Sequence, residues 1–296
     1  MEAQTFEKVA KRYLNRKTKF GNGKSDTAKL VLKQMSNRWV DRSITDISKA
    51  DVTELVEDLE ARKLANATIN NYIKYLKAVM NYAVDELELM EAAPKIRMLR
   101  ENERELFLEP EQVKNLLRFL DPLRADLVEF ALNVEQRNTN VRLLRWDQLT
   151  EGLDFIRYKG SETKNGKPQL IPLNGDAQSI LRKRIHLRDE LELARPRLIG
   201  QIDHVFFKED GQPLHRTSVV NRAWRRAVQN AGLPRGTSFH TLRHTFASWH
   251  IRAGADIREL MELGGWSSFN SMKRYTHLSN EHRKSAAGRI EAMVLR

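Results

Sequence analysis

The chain has 296 residues, with 51 Lys and Arg against 39 Asp and Glu, a formal net charge of +12. That length predicts about two domains, the 41% hydrophobic content suffices for buried cores, and the lack of cysteine excludes disulfides, thiolate nucleophiles and Cys-ligated metals. No apolar run reaches the ~20 residues of a membrane span, and the opening MEAQTFEKVAKRYL lacks a secretion-type apolar stretch. The expectation is a soluble, intracellular protein with a polyanionic partner, most naturally nucleic acid. The first hundred residues hold 19 basic and 14 acidic side chains and the rest hold 32 and 25, so both halves are positive. No block of five or six like charges occurs, which assigns the charge to folded faces.

The first ninety residues predict four amphipathic helices. Thr5 is a cap for a helix carrying Phe6, Val9, Ala10, Tyr13 and Leu14. After Gly21 and Gly23, a second helix carries Leu30, Val31, Met35 and Trp39. Ser48 with Asp51 resembles a capping box ahead of Val52, Leu55, Val56 and Leu59. A long helix follows with Ile69, Tyr72, Ile73, Leu76, Val79, Met80 and Ala83. Residues 1–91 therefore read as a helical bundle, and 92–105, with Pro94 and dense charge, as an interdomain linker.

Residues 106–296 read as a second, mixed domain. A helix spans about Glu109–Leu120 with Pro110 in its first turn, and another carries Leu127, Val128, Phe130, Ala131 and Leu132. A β-rich interval follows. Strands at Phe155–Tyr158 and Gln169–Leu173 flank the hairpin signal Asn165-Gly166, and Val205–Phe207 is a third short strand. From about Thr217 the pattern is helical again, with breaks at Gly232–Gly236, Gly254, Gly264-Gly265 and Leu278–Asn280. The expected fold is mainly α with a small antiparallel β-sheet.

Two familiar motifs fail. Gly23-Lys24-Ser25 resembles the end of a phosphate-binding loop, but the required earlier glycine is Thr18. His240 and His244 have zinc-ligand spacing, yet Thr241 replaces the usual glutamate and Arg243 between them repels a cation. No cofactor or metal is expected.

Five other segments belong together: Gln136-Arg137-Asn138-Thr139-Asn140-Val141 with Leu144-Arg145-Trp146; Thr163-Lys164-Asn165-Gly166-Lys167; His240-Thr241-Leu242-Arg243-His244-Thr245; Leu263-Gly264-Gly265-Trp266; and Arg274-Tyr275-Thr276-His277-Leu278. In this order they resemble the tyrosine recombinase (phage integrase) family, in its short phage or mobile-element form. The resemblance runs over nearly the whole chain. It implies a core-binding helical domain, a mixed α+β catalytic domain, and a site-specific recombinase that cleaves and rejoins DNA through a 3′-phosphotyrosine without metal or ATP. Catalytic roles fall on Arg137, Lys164, His240, Arg243, Trp266 and the nucleophile Tyr275.

The residue types suit that chemistry. Metal-free phosphodiester cleavage needs a nucleophile, clamps on the non-bridging oxygens and a proton donor for the leaving 5′ oxygen. Arg137 and Arg243 offer charge-assisted forks, and His240 shares a helix face with Arg243. Lys164 is the candidate acid, with Lys167 on the same hairpin as its alternative. Trp266 stands where many relatives carry a histidine, and its indole donates one hydrogen bond without shuttling protons. Val134-Glu135 stand where many relatives have Thr-Gly, which places bulk and negative charge beside Arg137. Taken singly each residue has an ordinary alternative, such as a surface ion pair, a solvated lysine or a core tryptophan.

The resemblance further implies a basic C-shaped clamp on duplex DNA with a specific target site, four protomers joined through a Holliday junction, and accessory DNA-bending or directionality proteins. It implies a cytoplasmic, nucleoid-associated setting in a bacterium or phage, with no membrane partner and no N-terminal arm-binding module. Ile290, Met293 and Val294 form an apolar stripe expected to dock on a neighbouring protomer. The rival functions are a type IB topoisomerase and a catalytically silent DNA-binding protein.

Overall fold

The computed structural model describes residues 4–19, 26–101, 106–163, 166–215 and 217–264, together with Trp266, Phe269, Met272 and Tyr275. The chain divides into two compact units, Met1–Glu103 and Arg104–Arg296.

The first unit contains helices α1 (Phe6–Lys19), α2 (Asp26–Arg38), α3 (Lys49–Ala61) and α4 (Asn66–Asp85). The Thr5 hydroxyl accepts from the Lys8 amide at 3.4 Å. The Ser48–Asp51 capping box is formed in both directions, so α3 starts where its two local acceptors satisfy the orphan N–H groups. All seven expected apolar residues of α4 are buried. On α2 the inward face differs from the expected one. Ala28, Val31, Leu32 and Met35 are buried, whereas Leu30 is 58% exposed. Residues 28, 31, 32, 35 and 39 share one stripe at 3.6 residues per turn, and Leu30 projects from the opposite side.

Part of the expected linker is held along α4. The Asn70 side chain is 3% exposed. Its Nδ2 donates to the Leu99 carbonyl at 2.9 Å and its Oδ1 accepts from the Leu99 amide at 2.8 Å. Asn66 adds a bond to the Arg100 carbonyl at 2.8 Å. Two asparagines thus pair an extended backbone that would otherwise need a strand.

The second unit comprises α5 (Pro110–Leu117), α6 (Pro122–Val134), α7 (Asn138–Arg142), β1 (Phe155–Tyr158), β2 (Gln169–Pro172), α8 (Gly175–Ala194), α9 (Thr217–Asn230), α10 (Phe239–Arg252) and α11 (Ile257–Gly264). Strands β1 and β2 pair antiparallel, Phe155 opposite Pro172 and Tyr158 opposite Gln169. The fold is mainly α with a small antiparallel sheet, as expected. The hairpin is not a tight Asn-Gly turn, because Tyr158 and Gln169 are joined by a long loop with a 3₁₀ turn at Gly160–Glu162.

Two elements differ from the expectation. The 20-residue helix α8 has no counterpart in the sequence reading. Its apolar residues are sparse, and only Ala177, Ile180, Leu181 and Arg184 are buried, so no wide apolar stripe announces it. Val205–Phe207 is not a strand. It makes only an isolated bridge, Phe207 with Pro213, beside a second at His204 with Arg145. The buried Arg184 guanidinium takes its carbonyls instead, donating to Val205 and Phe207 at 3.0 Å each. A side chain does there what a neighbouring strand would do.

Helix α10 is the centre of this unit. It packs on α6 and α11, and its Thr245 and Trp249 side chains bind the Leu108 amide and carbonyl at 2.9 Å each. Phe246, Ala247 and Ile251 of α10 form a small cluster with Leu260, Met272 and Tyr275. That cluster brings Tyr275 to α10.

Candidate active site

Four elements converge on the N-terminal half of α10. The first is the junction between α6 and α7. α6 ends at Val134, and Glu135 takes a left-handed backbone, φ 49° and ψ 31°. Glu135 is completely buried. Arg137 follows as the exposed residue that opens α7.

Arg243 projects from α10 into this junction and is nine-tenths buried. Its Nε lies 2.5 Å from the Glu135 carboxyl. Its two terminal nitrogens approach the Glu135 and Gly264 carbonyls at 3.4 Å. The Trp266 ring lies under the guanidinium at 4.3 Å, a cation–π arrangement that fixes the plane of the fork. Gly264 is needed for this approach. A Cβ there would fall 1.7 Å from the Glu135 carboxyl and 2.2 Å from the Trp266 ring.

The charges are close enough to act on one another. Burial lowers Arg243, Glu135 opposes that shift, and Arg137 reinforces it. Burial raises the Glu135 carboxyl well above the usual carboxylate range, and the two arginines only partly offset the effect. The cause is desolvation without well-aligned donors, since neither Glu135 oxygen receives an aligned hydrogen bond among the described residues.

Tyr275 is 5% exposed, and its hydroxyl is hydrogen-bonded to Nδ1 of His244. The His240 ring, on the exposed first turn of α10, stands edge-on to His244 with centroids 4.8 Å apart. Tyr275 also lies within the electrostatic reach of Arg243. One turn of helix thus carries two imidazoles and a guanidinium, with a phenol against one of the imidazoles.

Arg137, His240, Arg243, Trp266 and Tyr275 are all placed around this centre. Lys164 lies outside the described residues. The hairpin that carries it is anchored at its base, where Glu162 accepts from Arg145 and Gln148 at 3.0 Å each. Near the tip, the Thr163 hydroxyl donates to the Lys167 carbonyl at 2.7 Å. Residues 281–296, with the expected apolar stripe, also lie outside the described residues. Two partners escaped the sequence reading. The sequence gives His244 a place in the His240–Thr245 segment but no role, and it marks Glu135 only as a departure beside Arg137.

The matched family model is the phage integrase family, over residues 106–282. The chain belongs to the phage integrase family. The integrase of Salmonella phage P22 is 31% identical over 235 residues, which span 77% of this chain and 58% of that protein. Tyrosine recombinase XerD of Corynebacterium glutamicum is 34% identical over 157 residues, 52% of this chain and 47% of that one. The chain thus aligns with about half the length of these curated relatives. Among solved structures, the Tn1549 transposon integrase bound to transposon right-end DNA superposes with a TM-score of 0.75 at 20% identity, covering 98% of this chain and all of that one. A lambda integrase tetramer bound to a Holliday junction superposes with a TM-score of 0.69 at 16% identity, covering 93% and 78%. These likenesses establish that the integrase fold extends over both units. No described helix is long and apolar enough to cross a membrane.

Proposed function

We propose that this integrase-family chain is a site-specific DNA recombinase acting on duplex DNA in the cytoplasm. The observation that carries the reading is the contact of the Tyr275 hydroxyl with His244, beside the buried Arg243 fork. The tyrosine oxygen attacks phosphorus while its proton passes to an imidazole, and Arg137 and Arg243 hold the non-bridging oxygens. The bond to the 5′ oxygen breaks, and that oxygen takes a proton from Lys164. The products are a 3′-phosphotyrosine and a free 5′ hydroxyl. Reversal by a 5′ hydroxyl from another strand rejoins DNA with the bond energy conserved, so no nucleotide cofactor enters.

Tyr275 is nearly covered, so attack on a phosphate requires its hydroxyl to come free of that cover. Pairing of two DNA sites by four protomers fits this reading, since each protomer supplies one nucleophile and a full exchange cuts four strands. The test is to map covalent protein–DNA adducts on genomic DNA. Adducts at a defined sequence, lost in Tyr275→Phe, are expected. Relaxation of supercoils without a defined site would overturn the reading in favour of a topoisomerase. Specific binding without any adduct would leave a silent binding protein.

A further inference from the structure

Among the described residues, Glu135 is a fully buried carboxyl group against the arginine fork, and the mechanism above gives it no task. Its location is unusual on three counts. It has a left-handed backbone at a helix end, a conformation that is strained for a residue with a side chain and not for glycine. It lies at the C-terminus of α6, where the helix dipole disfavours a negative charge. Both its oxygens are buried. A residue kept there against these costs has something to hold.

What it holds is Arg243. The carboxyl group meets the guanidinium at Nε, and the main-chain carbonyl of the same residue meets a terminal nitrogen. Gly264 offers its carbonyl to the other terminal nitrogen, and Trp266 covers one face. Since Glu135 is entirely buried and DNA arrives from solvent, the carboxyl stands behind the arginine and not in the path of a phosphate. The guanidinium has five N–H groups, so hydrogens on its terminal nitrogens remain for the phosphate oxygens.

We propose that Glu135 is a positioning residue that braces Arg243 from the protein side and does so as the neutral acid. Neutrality follows from the surroundings. Arg243 of α10 and Arg137 at the start of α7 favour ionisation. Against them stand full burial, the α6 dipole and the uncharged Gly264 and Trp266 that close the remaining side. On α10 the His240 ring stands against His244, whose Nδ1 is hydrogen-bonded to Tyr275. A neutral brace leaves the full charge of Arg243 for the phosphate. An ionised one would cancel much of it.

This inference rests on the recombinase reading, and the test separates the two. Trapping of the wild-type chain on a nicked duplex carrying its mapped cleavage site establishes the reading, and failure to trap overturns the reading alone. Given trapping, Glu135→Gly removes the brace while suiting the left-handed backbone, and a loss of at least tenfold in adduct-forming rate is expected. The Kd for the uncut duplex should stay within about threefold. Glu135→Gln, neutral and of the same shape, should rescue the rate to within about threefold. Glu135→Gly matching the wild type, or Glu135→Gln as slow as Glu135→Gly, would overturn the brace.

A DNA-free measurement checks the protonation state. A carboxyl raised in the folded state contributes stability that is complete below its unfolded value and is lost as pH rises toward the folded value. The melting temperature of Glu135→Gln relative to the wild type should therefore climb steadily from pH 5 to pH 8. A gap that is flat or falls would show an ionised carboxylate and overturn the neutral form.

Discussion

Gly264→Ala puts the largest stress on the site for the smallest chemical change. The added methyl would lie 1.7 Å from the Glu135 carboxyl and 2.2 and 2.4 Å from two ring carbons of Trp266. Ordinary contact begins near 3.5 Å, so these groups must retreat by roughly 1–2 Å. Neither can do so freely. The carboxyl is fully buried behind Arg243 and the indole lies under the guanidinium at 4.3 Å. Overpacking of this kind costs about 1–3 kcal/mol, which corresponds to a drop in melting temperature of about 2–12 °C for a unit of this size. The larger effect is on chemistry, because a shift of about 1 Å in a catalytic group lowers a rate by about a hundredfold. Single-turnover adduct formation should fall by that factor, while duplex affinity stays within about threefold. A Gly264→Ala chain that cleaves within threefold of the wild-type rate would show that the Arg243 surroundings are loose, and would refute the packing argument.

Three further outcomes are expected. Tyr275→Phe should bind duplex DNA with unchanged affinity and form no covalent adduct on a denaturing gel; an adduct in this variant would move the nucleophile elsewhere. Cleavage should proceed in EDTA, because the proposed mechanism assigns the charge stabilisation to Arg137 and Arg243; strict dependence on a divalent ion in the purified system would contradict that assignment. Affinity should fall steeply with salt, since both halves of the chain are positive and six phosphate contacts alone give a log–log slope of about −5; a flat plot would refute charge-driven binding.

Sequence reading succeeded where local chemistry and global packing agree. The Ser48–Asp51 box, the seven buried residues of α4 and the Phe155–Tyr158 strand each carry their own signal in spacing or capping. It failed where long-range partners decide. Arg184 reads as one more charge in a charged stretch, and only its contacts with Val205 and Phe207 show why α8 is a core helix and why its neighbour is not a strand. The site divides the same way. The sequence singles out Arg137, Arg243, His240, Trp266 and Tyr275 as candidates by their types and order, and the structure gathers them around α10. The Arg243–Glu135 contact joins positions 108 apart. Glu135 announced itself only as a bulky acid where a left-handed turn favours glycine, and its burial could not be inferred from that alone.

The division of labour between the two histidines gives the remaining prediction. Residue type and spacing leave His240 open as base, acid or hydrogen-bond donor, and the geometry places His244 against the phenol. Nδ1 of His244 is hydrogen-bonded to the Tyr275 hydroxyl, and a base must lie within such reach of the proton it takes. His240 is exposed on the first turn of α10 and meets His244 edge-on. That position suits a donor to the phosphate or to the second ring. His244→Gln keeps a hydrogen-bonding group near the phenol but removes the base, and a loss of about 10²–10⁴ in adduct-forming rate is expected. His240→Gln keeps a donor in the exposed position, so its loss should be at least tenfold smaller. Both variants should retain the duplex affinity of the parent chain, which makes single-turnover trapping at saturating protein the right assay. If His240→Gln proved the more severe of the two, the tyrosine would have to change imidazole partners on DNA, and the contact seen here would be a resting arrangement that does not take part in the proton transfer.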